Sequence, residues 1–332
     1  MDKYLKSAFE GNTAKTVPIV FASNQGFAPA MSVAIASVLQ HCSDGRNYDI
    51  VVLESNVTES TKRVIQSMAK GRENISIRFY HALPIIAQYD LKANEHITVE
   101  TFYRFIIQDV LPDYDKVVYL DGDLVCCCDI AQLYDVDIEC CYLAAALDPD
   151  MLGNLNLSEE RVNYLRQELE MEDPYSYFQA GVLLLNTERM RAAHSTEEWL
   201  RFACHRYQFS DQDVLNRYCQ GHVKYLDMSW NMLIDCEHYR VPVIIKAAPE
   251  AVCSAYMQAR QNPKIIHYAG FQKPWKYCGV DFESTFWEYA RTTPFYNKLR
   301  LGLLKARIGR KLRGTKNRLF LQNESGQRRN IE

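Results

Sequence analysis

The chain has no apolar run long enough to cross a bilayer, which excludes a helical span by hydropathy. Residues 1–16 have no apolar stretch of the kind found in a secretory signal, so a cytoplasmic protein is expected. The 11 cysteines include no Cys-x-x-Cys pair, which argues against a zinc site and for buried, reduced thiols. The adjacent Cys126, Cys127 and Cys128 would point to alternate faces of a strand and could not easily bridge. There is no Gly-x-x-x-x-Gly-Lys-Ser/Thr loop, and no Gly-x-Gly-x-x-Gly follows the first apolar run, which disfavours a P-loop ATPase and a dinucleotide enzyme. There is also no Gly-x-Ser-x-Gly, which disfavours an α/β-hydrolase. Between residues 291 and 320 acidic residues are missing altogether. That stretch holds ten Lys or Arg, while the remainder holds 28 basic and 41 acidic residues.

What is present is a globular composition, 48% apolar and 24% charged over 332 residues, with ample material for a core. The most informative stretch is Lys116-Val117-Val118-Tyr119-Leu120-Asp121-Gly122-Asp123. Its apolar run reads as a strand buried on both faces of a parallel sheet. The two aspartates follow its carboxyl end, where open α/β sheets bind ligands. Gly122 is expected to turn the chain so that both carboxylates converge. Two hard oxygen donors suit Mn²⁺ or Mg²⁺ and a phosphate-bearing substrate. The competing reading is a solvated Asp-Gly turn.

The rest of the chain alternates in type. Strands are expected at 17–22, 50–53, 75–80, 142–147, 179–186 and 265–268. Helices are expected at 29–39, from a Thr58 cap to about Lys70, and at 101–111, 158–168, 197–207, 211–220 and 281–290. This alternation predicts an α/β protein with a mostly parallel sheet flanked by helices. The simplest division is a catalytic domain over 17–290 and a basic amphipathic tail over 291–332. Asn24, Asp121, Asp123, Asp148 and His267 lie at predicted strand ends, whereas Gln179 opens its strand. His267 taken alone is more often a structural histidine. In the run His267-Tyr268-Ala269-Gly270-Phe271-Gln272-Lys273-Pro274-Trp275 it gains a glycine that permits close approach and a lysine suited to phosphate.

Six pieces occur in one order: Ile19–Ala22, Arg104 within Thr101–Phe105, Asp121-Gly122-Asp123, Phe178–Asn186, Asp211-Gln212-Asp213 and the His267–Trp275 run. With these the chain resembles glycosyltransferase family 8, the retaining enzymes that include bacterial lipopolysaccharide galactosyl- and glucosyltransferases and glycogenin. The resemblance implies a GT-A fold, Mn²⁺ (with Mg²⁺ as a substitute) and transfer of glucose or galactose from a UDP-sugar to a saccharide on a lipid or polysaccharide. It implies that Asp121, Asp123 and His267 hold the metal. Gly270 and Lys273 would meet the phosphates, Ala22 and Asn24 the uracil, and Arg104, Asp148, Gln179, Asp211 and Gln212 the donor sugar. Gln212 would lie beneath the anomeric carbon, with Asp211 and Asp148 as its catalytic neighbours.

Three positions depart from the family pattern: Asn24 where Asp is frequent, Gly26 where Asn is frequent, and Gln179 where Asn also occurs. An amide oxygen can still accept a hydrogen bond from uracil. A metal-dependent phosphohydrolase is the rival enzyme class, although Val125 stands where a haloacid-dehalogenase phosphatase has threonine. A non-catalytic nucleotide-sugar-binding protein with a decayed site is the third reading.

In the tail, Leu301, Leu304, Ile308 and Leu312 share one helical face among Lys305, Arg307, Arg310, Lys311 and Arg313. This pattern suits an interfacial helix on an anionic membrane, against the competing readings of a solvated or disordered tail and of attraction to nucleic acid. The resemblance to enzymes whose acceptors are membrane lipids favours the membrane, at the inner face of the cell membrane, with no nucleic acid expected.

Overall fold

Val17, Ile19, Val20 and Phe21 are fully buried, as are Ile50, Val51, Val52 and Leu53. Strands covered on both faces need such unbroken apolar runs. The computed structural model describes residues 4–91 and 98–327, with side chains to Lys311. Its strands are β1 (Thr16–Ser23), β2 (Asn47–Glu54), β3 (Ile75–His81), β4 (Lys116–Leu120), β5 (Leu124–Cys126), β6 (Leu143–Ala146), β7 (Val182–Asn186), β8 (Val223–Leu226), β9 (Met232–Leu233) and β10 (Ile265–His267). Seven of them form the main sheet in the order β3-β2-β1-β4-β7-β6-β8. All run parallel except β7, which is antiparallel to both of its neighbours. The chain is thus an α/β protein with a mostly parallel central sheet, as the alternation predicts.

The reversed strand accounts for Gln179. A residue that precedes an antiparallel strand lies at the same edge as residues that follow the parallel ones. Asp121 N–H donates to Gly181 O at 2.8 Å, which ties the start of β7 to the end of β4. A second sheet, in the order β5-β10-β9, does the same for His267. There β10 pairs antiparallel with β5, so that His267 stands opposite Leu124, and Tyr268 N–H donates to Asp123 O at 2.9 Å.

The helix Ala28–His41 is buried from Ala28 to Leu39 and packs against β5 and the helix Glu283–Ala290. Thr58 caps the helix Glu59–Gln66 by accepting from Thr61 N–H, and Gly71 beyond its end has φ +83°. The expected helix over 101–111 is instead a 3-10 segment, Val99–Ile106, followed by one α-turn, Ile107–Val110. The longer stretch 221–264, where the sequence pattern suggests no elements, carries β8, β9 and the helices Arg240–Ala247 and Glu250–Gln261.

Gly122 plays a different part from the one expected. Its φ lies outside the left-handed region, so the turn does not require glycine. A Cβ there would lie 2.9 Å from Phe27 Cε1 and 3.2 Å from Met31 Cβ. Glycine is needed because the Ala28–His41 helix and its entry press against the loop.

All cysteines among the described residues are free thiols. Burial raises the Cys126 thiol well above its ordinary value and lifts Cys127 to about 11, so both stay protonated and inert. The helix Tyr296–Gln327 begins inside the body of the protein, with Leu299 and Leu303 buried in the core. Leu301, Leu304 and Ile308 are 57%, 51% and 51% exposed, which leaves an uncovered apolar row. The side chains of Leu312 and Arg313 lie outside the described residues. Among the described residues no helix is long and apolar enough to cross a membrane.

Candidate active site

Asp121, Asp123 and His267 offer one ligand atom each, all within 4.8 Å of one another. His267 Nε2 lies 3.3 Å from Asp123 Oδ1 and 3.8 Å from Asp121 Oδ2. Lys273 Nζ donates to the other Asp123 oxygen and, at 2.7 Å, to Tyr268 O. Burial alone would favour the neutral carboxyl of Asp123. The charge of Lys273, with the His267 imidazole beside it, outweighs burial and holds the group well below the usual carboxylate range. Asp121 is fixed through Oδ1, which accepts from Tyr119 OH at 3.0 Å and Arg104 Nη2 at 3.2 Å.

The segment Gln179-Ala180-Gly181 is the hub of the site. Gly181 N–H donates to Gln179 Oε1 at 2.6 Å, and Ala180 N–H donates to Gln212 Oε1 at 3.0 Å. Ala180 O accepts from Arg104 Nη1 at 2.5 Å. A Cβ at Gly181 would collide with His267 Cε1 and lie 2.6 Å from Asp121 Oδ2. The absence of a side chain there keeps a cradle open between the carboxylates and the imidazole.

Gln212 reaches the remaining groups. Its Nε2 donates to Asp148 Oδ2 at 3.1 Å and to Tyr177 OH at 3.2 Å. Asp148 also caps the helix Pro149–Leu155 by accepting from Asp150 and Met151 N–H. Burial, reinforced by Asp150, raises its carboxyl above the ordinary range. Asp211 accepts from Thr101 Oγ1 at 2.6 Å and pairs with Arg104 at 3.0 Å. Burial raises Asp211 too, against the pull of Arg104. Ser210 immediately before it is buried with φ 51°, a conformation that costs a side-chain-bearing residue of order 1–3 kcal/mol and recurs at functional sites. Asp213 serves the scaffold instead. It is fully buried and accepts from Tyr164 OH, Tyr177 OH and Phe209 N–H.

Arg104 is 4% exposed, and its donors go to Thr101, Ala180, Tyr119, Asp121 and Asp211. It therefore orients two carboxylates rather than presenting a free guanidinium. Asn24 stands after β1, where Oδ1 accepts from Phe27 N–H at 3.0 Å and Nδ2 donates to Glu100 at 3.2 Å. This fixes which way its amide points. Ala22 is half-buried in β1, paired with Leu53 of β2. Gly270 has φ +103°, and a Cβ there would lie 2.8 Å from Cys236 Sγ, so both backbone and space demand glycine.

Two oxygen donors, one imidazole and an open cradle fit a hard divalent cation. Sequence motifs alone miss Glu100, Tyr119, Tyr177 and Asn231. Asn231 is 3% exposed and bonds both His267 and Gln179. It lies in the stretch 221–264 and belongs to no motif; its only signal is a polar residue within an apolar run, which points equally to a turn.

The family model described as Glycosyl transferase family 8 matches residues 18–279. The solved structure of the bifunctional glycosyltransferase WbbM, in its apo form, superposes with a TM-score of 0.81 at 28% identity, over 91% of this chain and 53% of that one. The galactosyltransferase LgtC, solved with donor and acceptor sugar analogues, superposes with a TM-score of 0.68 at 25% identity, over 84% of this chain and 96% of that one. A lipopolysaccharide 1,2-glucosyltransferase of Escherichia coli K12 is 22% identical over 83% of this chain and 80% of its own length. The chain thus spans about half of WbbM, and it spans 64% of one curated glycosyltransferase that it matches.

Proposed function

The chain belongs to glycosyltransferase family 8, and from that premise we propose that it transfers glucose or galactose from a UDP-sugar to a saccharide of a cell-surface glycan, with retention of configuration and with Mn²⁺. One observation carries the reading. Asp121, Asp123, His267 and Lys273 gather at the sheet edge where Gln179, Asp211 and Gln212 also meet. A galactosyltransferase and a lipopolysaccharide glucosyltransferase among its relatives support the choice of sugar and acceptor class.

Transfer breaks the bond between the anomeric carbon and a phosphate oxygen, and its electron pair leaves with UDP. A divalent cation bound by Asp121, Asp123 and His267 would neutralise charge on the departing diphosphate. Lys273 exchanges Asp123 for a phosphate oxygen and adds a positive charge at the same place. Asp211 and Asp148 would offset the positive charge that grows on the sugar. Gln212 is anchored at both ends of its amide, so it is a fixed dipole and a poor nucleophile. The acceptor oxygen therefore bonds to the anomeric carbon on the face that UDP leaves, and its proton passes to the departing phosphate oxygen. Asn24 reads the uracil through the second lone pair of Oδ1.

The test is a thermal-shift and turnover screen with UDP-glucose, UDP-galactose, UDP-N-acetylglucosamine and GDP-mannose, each with and without Mn²⁺. Stabilisation and slow UDP release with UDP-glucose or UDP-galactose, dependent on Mn²⁺, are the expected result. Equal responses to GDP-mannose, or none from folded protein, would overturn it.

The composition of the tail supports attachment to the membrane surface that carries the acceptor. Arg310 stacks on Tyr277 at 4.4 Å and donates to Lys276 O, which holds the helix Tyr296–Gln327 against the body. The exposed Leu301, Leu304 and Ile308, with Lys305, Arg307 and Lys311 nearby, enter the interface of an anionic leaflet. Replacing those three apolar residues together by Glu is expected to abolish sedimentation with phosphatidylserine vesicles and to leave UDP-sugar hydrolysis unchanged. Vesicle binding that survives the triple substitution would sink the assignment.

A further inference from the structure

The polarity of the metal-binding histidine can be traced back to a backbone amide. Gly181 N–H is a donor and nothing else, and it meets Gln179 Oε1 at 2.6 Å. That contact fixes the Gln179 amide with its oxygen inward. The same oxygen lies 2.5 Å from the Asn231 amide, which must therefore present Nδ2 to it. Asn231 Oδ1 then faces His267 Nδ1 at 2.8 Å and can only accept. His267 is thereby held with its proton on Nδ1, which turns Nε2 toward Asp121 and Asp123 and leaves that atom to offer a lone pair to a metal.

We propose that Asn231 is a positioning residue that links the tautomer of His267 to the direction of the Gln179 amide, so that one hydrogen-bond relay sets both the metal ligand and a contact to the donor sugar. The proposal rests on the glycosyltransferase reading and deepens it. Gln179 is only partly buried, and its Nε2 makes no hydrogen bond among the described residues. With its oxygen used twice inside the relay, Gln179 offers only N–H donors to a hydroxyl of the sugar. The ligand that holds the metal and the amide that reads the sugar therefore cannot reorient independently. Asn231 itself is 3% exposed and acts through Gln179 and His267, the two side chains it bonds.

Two substitutions separate the halves of the relay. Asn231→Ala removes both bonds. Asn231→Asp is isosteric: it keeps an acceptor for His267 Nδ1–H but sets a second oxygen against Gln179 Oε1, which pushes the Gln179 amide away from its bond with Gly181 N–H. Mn²⁺ alone is titrated into the full chain, with the free ion read by its electron paramagnetic resonance signal. Asn231→Ala is expected to bind Mn²⁺ about 10–100-fold more weakly than the unsubstituted protein. Asn231→Asp is expected to bind within about threefold of it. In turnover at saturating Mn²⁺, Asn231→Asp should raise the donor KM, or narrow the preference between UDP-glucose and UDP-galactose, by about tenfold. Equal Mn²⁺ affinity in the Ala variant, equal weakness in the two variants, or unchanged donor kinetics in the Asp variant would each overturn the relay. Failure of the unsubstituted protein to bind Mn²⁺ would instead overturn the metal reading beneath it, and the relay with it.

Discussion

Asp123→Asn is expected to reduce hexose transfer by roughly 10³-fold or more while the protein stays folded. The carboxylate is held ionised in a buried place by Lys273 and His267. The amide keeps the size and removes the charge, and with it the anionic ligand that a hard cation needs. The fold should survive, because Lys273 keeps its bond to Tyr268 O and Asp123 is tied to the end of β10 through its backbone carbonyl. Mn²⁺ titration and steady-state UDP release, measured beside a thermal melt, check all three parts. A variant that retains a tenth of the original turnover would mean that the cluster is not the centre of the chemistry.

Gly181→Ala should be nearly as damaging, although it adds a single methyl group. Its φ lies outside the left-handed region, so an alanine backbone is allowed and the effect must come from collision. The added carbon would overlap His267 Cε1 and lie 2.6 Å from Asp121 Oδ2 and 3.0 Å from Gln179 Oε1. Those atoms belong to a tightly bonded cluster and cannot all retreat. Overpacking of this kind costs about 1–3 kcal/mol in stability. The larger consequence is that the cradle is filled, so Mn²⁺ affinity and transfer should each fall by about 100-fold or more. Gly122→Ala makes a useful comparison, since its new carbon presses on Phe27 and Met31 rather than on the carboxylate and imidazole of the cradle. If Gly181→Ala kept normal Mn²⁺ affinity, the metal would have to bind elsewhere.

Much of this site is readable along the chain because its pieces are local. Asp121 and Asp123 follow an apolar run that has one structural meaning, and Lys273 follows His267 within a single loop. The Thr101–Leu111 stretch is harder to read. It has helical composition, yet Arg104 is drawn inward to Asp121, Asp211 and Ala180, and the chain tightens into a 3-10 segment around it. The role of Asn231 cannot be read along the sequence because its partners, Gln179 and His267, are 52 and 36 residues away. Hydrophobic periodicity reports which face of an element is covered and says nothing about which polar atom meets another across the fold.

The sequence by itself determined the class of the fold, the longer buried strands and the residue types available for chemistry, because burial on two faces and alternation with helices are written in local composition. Tertiary structure alone decided where those residues stand. The reversal of β7 brings Gln179 to the edge shared by the ends of the parallel strands, and the pairing of β10 with β5 sets His267 beside Asp123. It also decided why two glycines are glycine: Gly122 yields to Phe27 and Met31, and Gly181 leaves space between His267 and Asp121. Strand direction and close approach are properties of neighbours distant in sequence, and packing fixes them only when the whole sheet is assembled.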